Sequence, residues 1–205
     1  MSETTNSTDM PPADDLASGG AWVDLEHFRV TGYDPGSLLA RVSWYIVCEL
    51  LFASSLPLPS RWRCTLLRWF GAQIGRGVVI KPRVRIKFPW RLRIGDFTWI
   101  GEGSWIDNLA MVDIGSHVCI SQGVYFCTGS HDHRKRSFDL ITTPITVGDG
   151  AWVAAQTTLL GGATVGANAL VAAASMVHRD VPPGMIVGGN PAQRIRDREP
   201  PAKPT

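Results

Sequence analysis

Aliphatic residues recur every six positions through the last third of the chain, at Val147, Val153, Leu159, Val165, Val171 and Val177. Small residues stand four positions after most of them, at Ala151, Thr157, Ala163, Ala169 and Ser175, and Gly, Asp, Asn and Ala fill the gaps. An α-helix repeats about every 3.6 residues and a strand about every 2, so neither explains a strict period of six. A coil with three flat sides does. Each hexapeptide is then one short strand plus one corner, and three hexapeptides make a full turn.

The same beat runs upstream through Ile74, Ile80, Ile86; Ile94, Ile100, Ile106; and Ile114, Ile120, Phe126. The step widens to eight after Ile86 and after Ile106, and to twenty-one after Phe126. Each irregular step follows a set of three hexapeptides, so all the extra residues leave from one corner of a three-sided prism. The expected fold is all-β: a parallel β-helix of about five coils from Ile74 to Val177, with one long inserted loop. The aliphatic and small residues point inward. Gly75, Gly95, Gly101, Gly115, Gly148 and Gly166 each follow an aliphatic residue, and are expected to supply the tight or positive-φ backbone of the corners. A β-helix exposes strand edges at its ends, so an N-terminal cap is expected, supplied by Leu38 to Gly71.

The domain reading follows. Residues 1–20 are polar and carry Pro11 and Pro12, which predicts a disordered tail; with neither a basic start nor an apolar core they do not read as a signal peptide. Residues 21–73 form a helical cap region, 74–196 the hexapeptide domain and 197–205 a frayed tail. Leu38 to Leu56 is apolar, yet it contains Arg41 and Glu49 and runs into Pro57 and Pro59. One or two packed helices are expected, the second near Arg61 to Phe70. They would be buried on the coil or a neighbouring subunit, with a shallow membrane contact as the alternative.

Charge changes the picture only locally. The net charge is +2, but residues 50–95 hold ten Lys or Arg and no acid, and residues 1–28 hold six acids and no Lys or Arg. The basic run is either a solvated face or the footprint of an anionic acceptor, a phosphate-bearing lipid carrier or an anionic membrane. No nucleic-acid motif is present, and many of the basic residues fall on strands of the coil. Cys48, Cys64, Cys119 and Cys127 lack paired metal spacing and read as free thiols of a cytoplasmic protein.

The chemistry is expected in the insertion from Cys127 to Thr146, since loops on a rigid scaffold carry function. It reads Thr128-Gly129-Ser130-His131-Asp132-His133-Arg134-Lys135-Arg136. A histidine at the loop root is placed to act as a general base near neutral pH.

The period of six, the lead-in Leu66-Leu67-Arg68-Trp69-Phe70-Gly71-Ala72-Gln73-Ile74-Gly75, and the segments Phe88-Pro89-Trp90, Ile120-Ser121-Gln122-Gly123, Gly129-Ser130-His131-Asp132, Gly150-Ala151-Trp152 and Gly189-Asn190-Pro191-Ala192 resemble the hexapeptide-repeat O-acetyltransferases. The resemblance covers roughly residues 60–196 and is strongest to the colanic-acid and exopolysaccharide branch. It implies a left-handed coil, an exception to the right-handed rule for parallel crossovers. It also implies a homotrimer, acetyl-CoA as co-substrate, no metal, and direct transfer to a sugar or glycan hydroxyl with His131 as base. Residue by residue, it places Ala155 and Ala173 on the pantetheine arm, Arg179 and Arg196 at CoA phosphates, Trp152 beside the thioester or acceptor, and Asn108 and His133 at the acceptor. Asn108 also suits a corner turn. Gln193 departs from the Arg of some relatives. Other readings are antibiotic O-acetylation on the same fold, a non-catalytic β-helix scaffold, or a zinc carbonic anhydrase. For that last enzyme His117, His131 and His133 do not have the family's spacing.

Overall fold

The structure is a computed structural model that describes residues 21–30 and 32–200. The expected disordered tail, 1–20, lies outside the described residues, as do 201–205. The described residues divide into two compact units: those up to Asp34 with Ser130–Ile141, and Pro35–Gly129 with those from Thr142 onward. Residues 21–34 thus group with the loop that carries His131 rather than with the cap, where the sequence placed them.

The second unit is a parallel β-solenoid with three faces. The first face is β1 (Gln73–Ile74), β4 (Leu92–Ile94), β7 (Val112–Ile114), β12 (Ile145–Val147) and β15 (Thr164–Val165). The second is β2 (Val79–Ile80), β5 (Trp99–Ile100), β8 (Cys119–Ile120), β13 (Trp152–Val153), β16 (Leu170–Val171) and β18 (Met185–Gly188), closed by antiparallel β19 (Gln193–Asp197). The third is β3 (Arg85–Ile86), β6 (Trp105–Asp107), β9 (Tyr125–Cys127), β14 (Thr158–Leu160) and β17 (Met176–Val177). Successive coils align aliphatic on aliphatic, as in Ile74↔Ile94, Ile80↔Ile100 and Ile86↔Ile106. Five full coils result, and Val181 (bridged to Val165) and β18 begin a sixth. All three irregular steps leave the corner between the third and first faces, as the spacing predicts.

The aliphatic residues stack into one buried core, and Ala151, Thr157, Ala163, Ala169 and Ser175 are buried beside them. Polar members are tolerated because each hydroxyl finds a carbonyl: Thr98 Oγ1 donates to Gly115 at 2.6 Å, and Ser175 Oγ to Ala172 at 2.7 Å. A buried hydroxyl without a partner would cost about 1–3 kcal/mol.

The corners correct one expectation. The glycine directly after each aliphatic residue is not in the left-handed region. The left-handed position comes two residues later, at Gly77, Arg83, Phe97, Gly103, His117, Gly123, Gly150, Gln156, Gly162, Asn168 and Ala174. The first glycine serves close approach instead. A Cβ on Gly95 would lie 2.6 Å from the Gly115 carbonyl carbon and the Ser116 nitrogen of the next coil.

The cap forms as expected. Helix α1 (Leu38–Val47) starts at Ser37, whose hydroxyl accepts from Ala40 N, and runs on through a π-helical turn, Cys48–Phe52; helix α2 is Ser60–Trp69. The first coil has no neighbour below it, so Ile74 O, Ile80 O and Ile86 O are the carbonyls that the next coil's equivalents would offer to a preceding N–H. The cap supplies a donor for each. Arg68 donates to Ile74 O at 3.0 Å, Ser60 Oγ to Ile80 O at 3.1 Å, and Trp44 Nε1 to Ile86 O at 2.7 Å. Arg63, one of the ten basic residues, is buried and donates to Leu56 O, Leu58 O and Ile80 O. At the other end β19 runs to Asp197, and Arg198 donates to Gly150 O and Asn168 O, so bonded chain continues past the expected boundary.

Candidate active site

The long insertion opens with β10 (Gly129–His131), which pairs with β11 (Leu140–Thr142). Between them the loop is held by its own bonds. Asp132 N donates to Asp139 O at 2.9 Å, Lys135 N to Asp132 O, and Phe138 N to Lys135 O. The Asp132 carboxylate accepts from Arg134 at 3.0 Å, which draws its pKa below the ordinary value, and Lys135 does the same for Asp139 at 3.0 Å.

His131 is half-buried, and its Nδ1 lies 2.8 Å from the Phe138 carbonyl oxygen. A carbonyl can only accept, so in the neutral ring Nδ1 carries the proton and Nε2 keeps its lone pair. This leaves Nε2 free to take a proton. The Phe138 ring stacks on the imidazole at 4.4 Å and 5°, and Phe28 meets it edge-on at 5.5 Å. His133 is exposed, two residues further along the loop.

The residues expected at CoA lie on the solenoid. Ala155 and Ala173 occupy the same corner of successive coils, each two residues after a paired valine. Neither amide donates to any described group, whereas the next amide along, Ala174 N, donates to Ala155 O at 2.9 Å. Trp152 is exposed on the second face, and its Nε1 donates to Ser121 Oγ at 2.9 Å. Arg196 lies on β19 opposite Ile186, at the end of the second face, whereas Arg179 follows β17 on the third; the topology therefore puts the two arginines on different faces.

Asn108 departs from its expected acceptor role. It is fully buried at the corner between the third and first faces, accepting from Phe88 N and donating to Phe88 O and Arg91 O. Its amide is spent on the corner. His117 sits at a left-handed corner, stacked on Phe97, and among the described residues no group of three His, Cys, Asp or Glu could hold a metal ion.

Sequence reasoning missed a cluster on the outer side of the third face. Lys87 and Asp107 pair at 2.8 Å, Asp107 aligns with Cys127, and the Tyr125 hydroxyl donates to Asp107 at 3.5 Å. Burial pushes the Tyr125 hydroxyl above its ordinary pKa. The period of six could have found it, since positions 87, 107 and 127 each follow an inward residue and stack.

No family model matches this chain. It is 41% identical over 176 residues to the Escherichia coli protein assigned to colanic acid biosynthesis as the acetyltransferase WcaF, covering 85% of this chain and 97% of that one. The chain belongs to the hexapeptide-repeat acetyltransferase family. Galactoside O-acetyltransferase of Escherichia coli is 27% identical over 149 residues, with 71% and 73% covered. Among solved structures, a hexapeptide-repeat acetyltransferase of Vibrio cholerae complexed with acetyl coenzyme A matches with a TM-score of 0.74 at 28% identity, covering 85% and 97%. A galactoside acetyltransferase in complex with coenzyme A matches with a TM-score of 0.71 at 25% identity, covering 78% and 82%. The chain is therefore an acyltransferase. No helix among the described residues is long and apolar enough to cross a membrane.

Proposed function

We propose that the chain transfers acetyl from acetyl-CoA to a hydroxyl of a sugar or glycan in cell-surface polysaccharide synthesis, on the cytoplasmic side of the membrane. The observation that carries this reading is His131 on the long loop, with Nδ1 committed to a carbonyl and Nε2 left as a base. In this reading Nε2 removes the proton of the acceptor hydroxyl. The oxygen attacks the thioester carbonyl, the C–S bond breaks, and the proton passes to the departing CoA sulfur. No covalent enzyme intermediate forms. The undonated amides of Ala155 and Ala173 suit the pantetheine arm, and Arg179 and Arg196 suit phosphates. Trp152 flanks the thioester, and His133 remains an acceptor-side candidate.

The test is CoA release measured against sugars, nucleotide sugars, lipid-linked glycans and hydroxylated antibiotics. His131→Ala should lower kcat by about 10² to 10⁴ while acetyl-CoA still binds, the range a general base supplies. Near-normal turnover by that variant overturns the assignment of the base. Preference for an antibiotic moves the chain to the xenobiotic branch.

The reading includes a homotrimer. On the second face the outward residues Val79, Trp99, Cys119, Trp152, Leu170 and Ile186 align strand by strand into one apolar ladder. Trp99 is 57% and Trp152 42% exposed, and a contiguous apolar strip of this kind suits a subunit interface. It also includes peripheral contact with an anionic membrane bearing the acceptor. The outer side of α1 exposes Leu38, Leu39, Val42, Tyr45 and Ile46 around Arg41, with Leu50 on the π-helical turn, and Arg61 and Trp62 follow on α2. Apolar and cationic groups on one helix suit an interfacial helix. Co-sedimentation with anionic but not neutral vesicles, weakening as salt rises, is the expected result; equal indifference to both removes the contact.

A further inference from the structure

The described part of the first unit is small, and His131 meets it through one hydrogen bond and two ring contacts. Phe138 is the unusual member. Its φ is 50°, in the left-handed region, where a bulky side chain is strained. Strain of this kind persists where the surroundings over-determine it, and it gathers at functional sites. Here the left-handed turn lets one residue do two things. It brings the Phe138 carbonyl oxygen to 2.8 Å from His131 Nδ1, and it lays the Phe138 ring flat on the imidazole at 4.4 Å. The turn is fixed by Phe138 N donating to Lys135 O at 3.0 Å and by Asp132 N donating to Asp139 O. Phe28 comes from a segment about a hundred residues earlier and meets the imidazole edge-on at 5.5 Å. That segment is tied to the loop by Asp24 N donating to Arg136 O at 2.8 Å.

We infer that Phe138 and Phe28 are positioning residues that clamp the His131 ring in the plane and tautomer needed for proton abstraction. The segment 24–28 is thereby part of the catalytic apparatus. The inference rests on His131 being the general base. The chemical reason is specific. A free neutral imidazole side chain favours the proton on Nε2, which would leave no lone pair there for the acceptor. The carbonyl bond selects the other tautomer, and a turn of the ring about its Cβ–Cγ bond would break it. A flat ring on one side and an aromatic edge against the imidazole stop that turn.

The experiment compares Phe138→Gly, Phe138→Tyr, Phe28→Ala and His131→Ala in the full chain. Glycine keeps the carbonyl and takes the left-handed turn at no steric cost, so Phe138→Gly removes the ring while adding backbone freedom, which the melting temperature reports. Acetyl-CoA turnover is followed together with long-range nitrogen–proton NMR of histidine-labelled protein. The expected result is a fall in kcat of roughly tenfold for Phe138→Gly and for Phe28→Ala, a part of what the whole base supplies. The Michaelis constant for acetyl-CoA should stay within about twofold, the His131 signal should move from the Nδ1-protonated tautomer toward a mixture, and Phe138→Tyr should restore both readouts. Wild-type turnover and tautomer in both ring deletions, with His131→Ala inactive, overturns the clamp and leaves the base standing. Loss that follows a lowered melting temperature with the tautomer unchanged, or loss that Phe138→Tyr does not repair, also overturns it. An active His131→Ala removes the base itself and is separately recognisable.

Discussion

The two special positions of each corner make opposite demands, and exchanging them should have opposite effects. Gly95→Ala adds a methyl group at a position whose φ is ordinary, so backbone strain is not the issue. The added carbon would sit 2.6 Å from two backbone atoms of the next coil, about an ångström inside ordinary contact. Backbone cannot rotate away as a side-chain tip can, so the coils must separate locally. Overpacking of this kind costs about 1–3 kcal/mol. Ala174→Gly is the reverse experiment. Ala174 holds φ 56° and its N–H donates to Ala155 O at 2.9 Å, a bond that glycine keeps. Relieving a left-handed alanine returns about 1–2 kcal/mol, and the greater freedom of glycine in the unfolded chain takes back about 0.5–1. The net is a gain of up to about 1.5 kcal/mol.

For a chain of this size each kcal/mol moves the melting temperature by about 2–4 °C. Gly95→Ala should therefore melt about 2–12 °C below the parent, and Ala174→Gly up to about 6 °C above it. Thermal unfolding followed by circular dichroism at one fixed protein concentration decides the matter, since any self-association would make melting concentration-dependent. The reasoning fails if Gly95→Ala melts with the parent, or if Ala174→Gly falls as far as Gly95→Ala does.

Trp44→Phe keeps an aromatic ring in the cap but removes the donor to Ile86 O, and should cost about 1–3 kcal/mol in denaturant unfolding; no measurable loss would mean that the edge carbonyl is satisfied another way. Trp99→Lys puts a charge in the apolar ladder of the second face and should convert trimers to smaller species in sedimentation equilibrium, whereas a trimer of undiminished stability would place the interface elsewhere. Asp96 is held below its ordinary 3.8, first by the backbone N–H of Arg76 and then by its side chain, and Asp132 by Arg134. A depressed carboxylate stabilises above the unfolded value and loses that stabilisation as pH falls through the folded one. The acid limb of unfolding should thus lie below about pH 4, and Arg76→Met should move it up; an unmoved limb would show that Asp96 does not report on folding.

The solenoid was legible because its period is written directly in the chain. Every inward position is six residues from the next, and every departure from six falls at one corner. The helical cap was legible from the length and composition of Leu38 to Leu56. What composition could not show is how the cap ends the sheet, because Arg68, Ser60 and Trp44 share no motif. Each is simply the polar tip that reaches a different face. The corner glycines misled for a related reason. Close approach and a left-handed turn both select glycine, so glycines at either position look alike in sequence. Phe97, His117, Gln156, Asn168 and Ala174 at the left-handed positions hide the second pattern further.

The site divides along the same line. The place of His131 was legible because it stands at the root of the only long step in the repeat; its role as base is the proposal made above. Phe28 was not, since no period or spacing links it to a histidine about a hundred residues away. Asn108 shows why a resemblance needs geometry beside it. An amide side chain has four hydrogen-bonding positions, and Asn108 spends three, two on Phe88 and one on Arg91, at 2.9, 2.7 and 3.0 Å. Those bonds hold the first of the irregular steps, where Pro89–Arg91 form a short 3₁₀ turn before β4. To contact a sugar the amide would have to leave a fully buried position and orphan a backbone N–H and two carbonyls, at about 1–3 kcal/mol for each. A single hydroxyl contact returns about 0.5–1.5 kcal/mol. The corner wins, and loss of acceptor binding in an Asn108 variant would report a displaced corner rather than a lost contact.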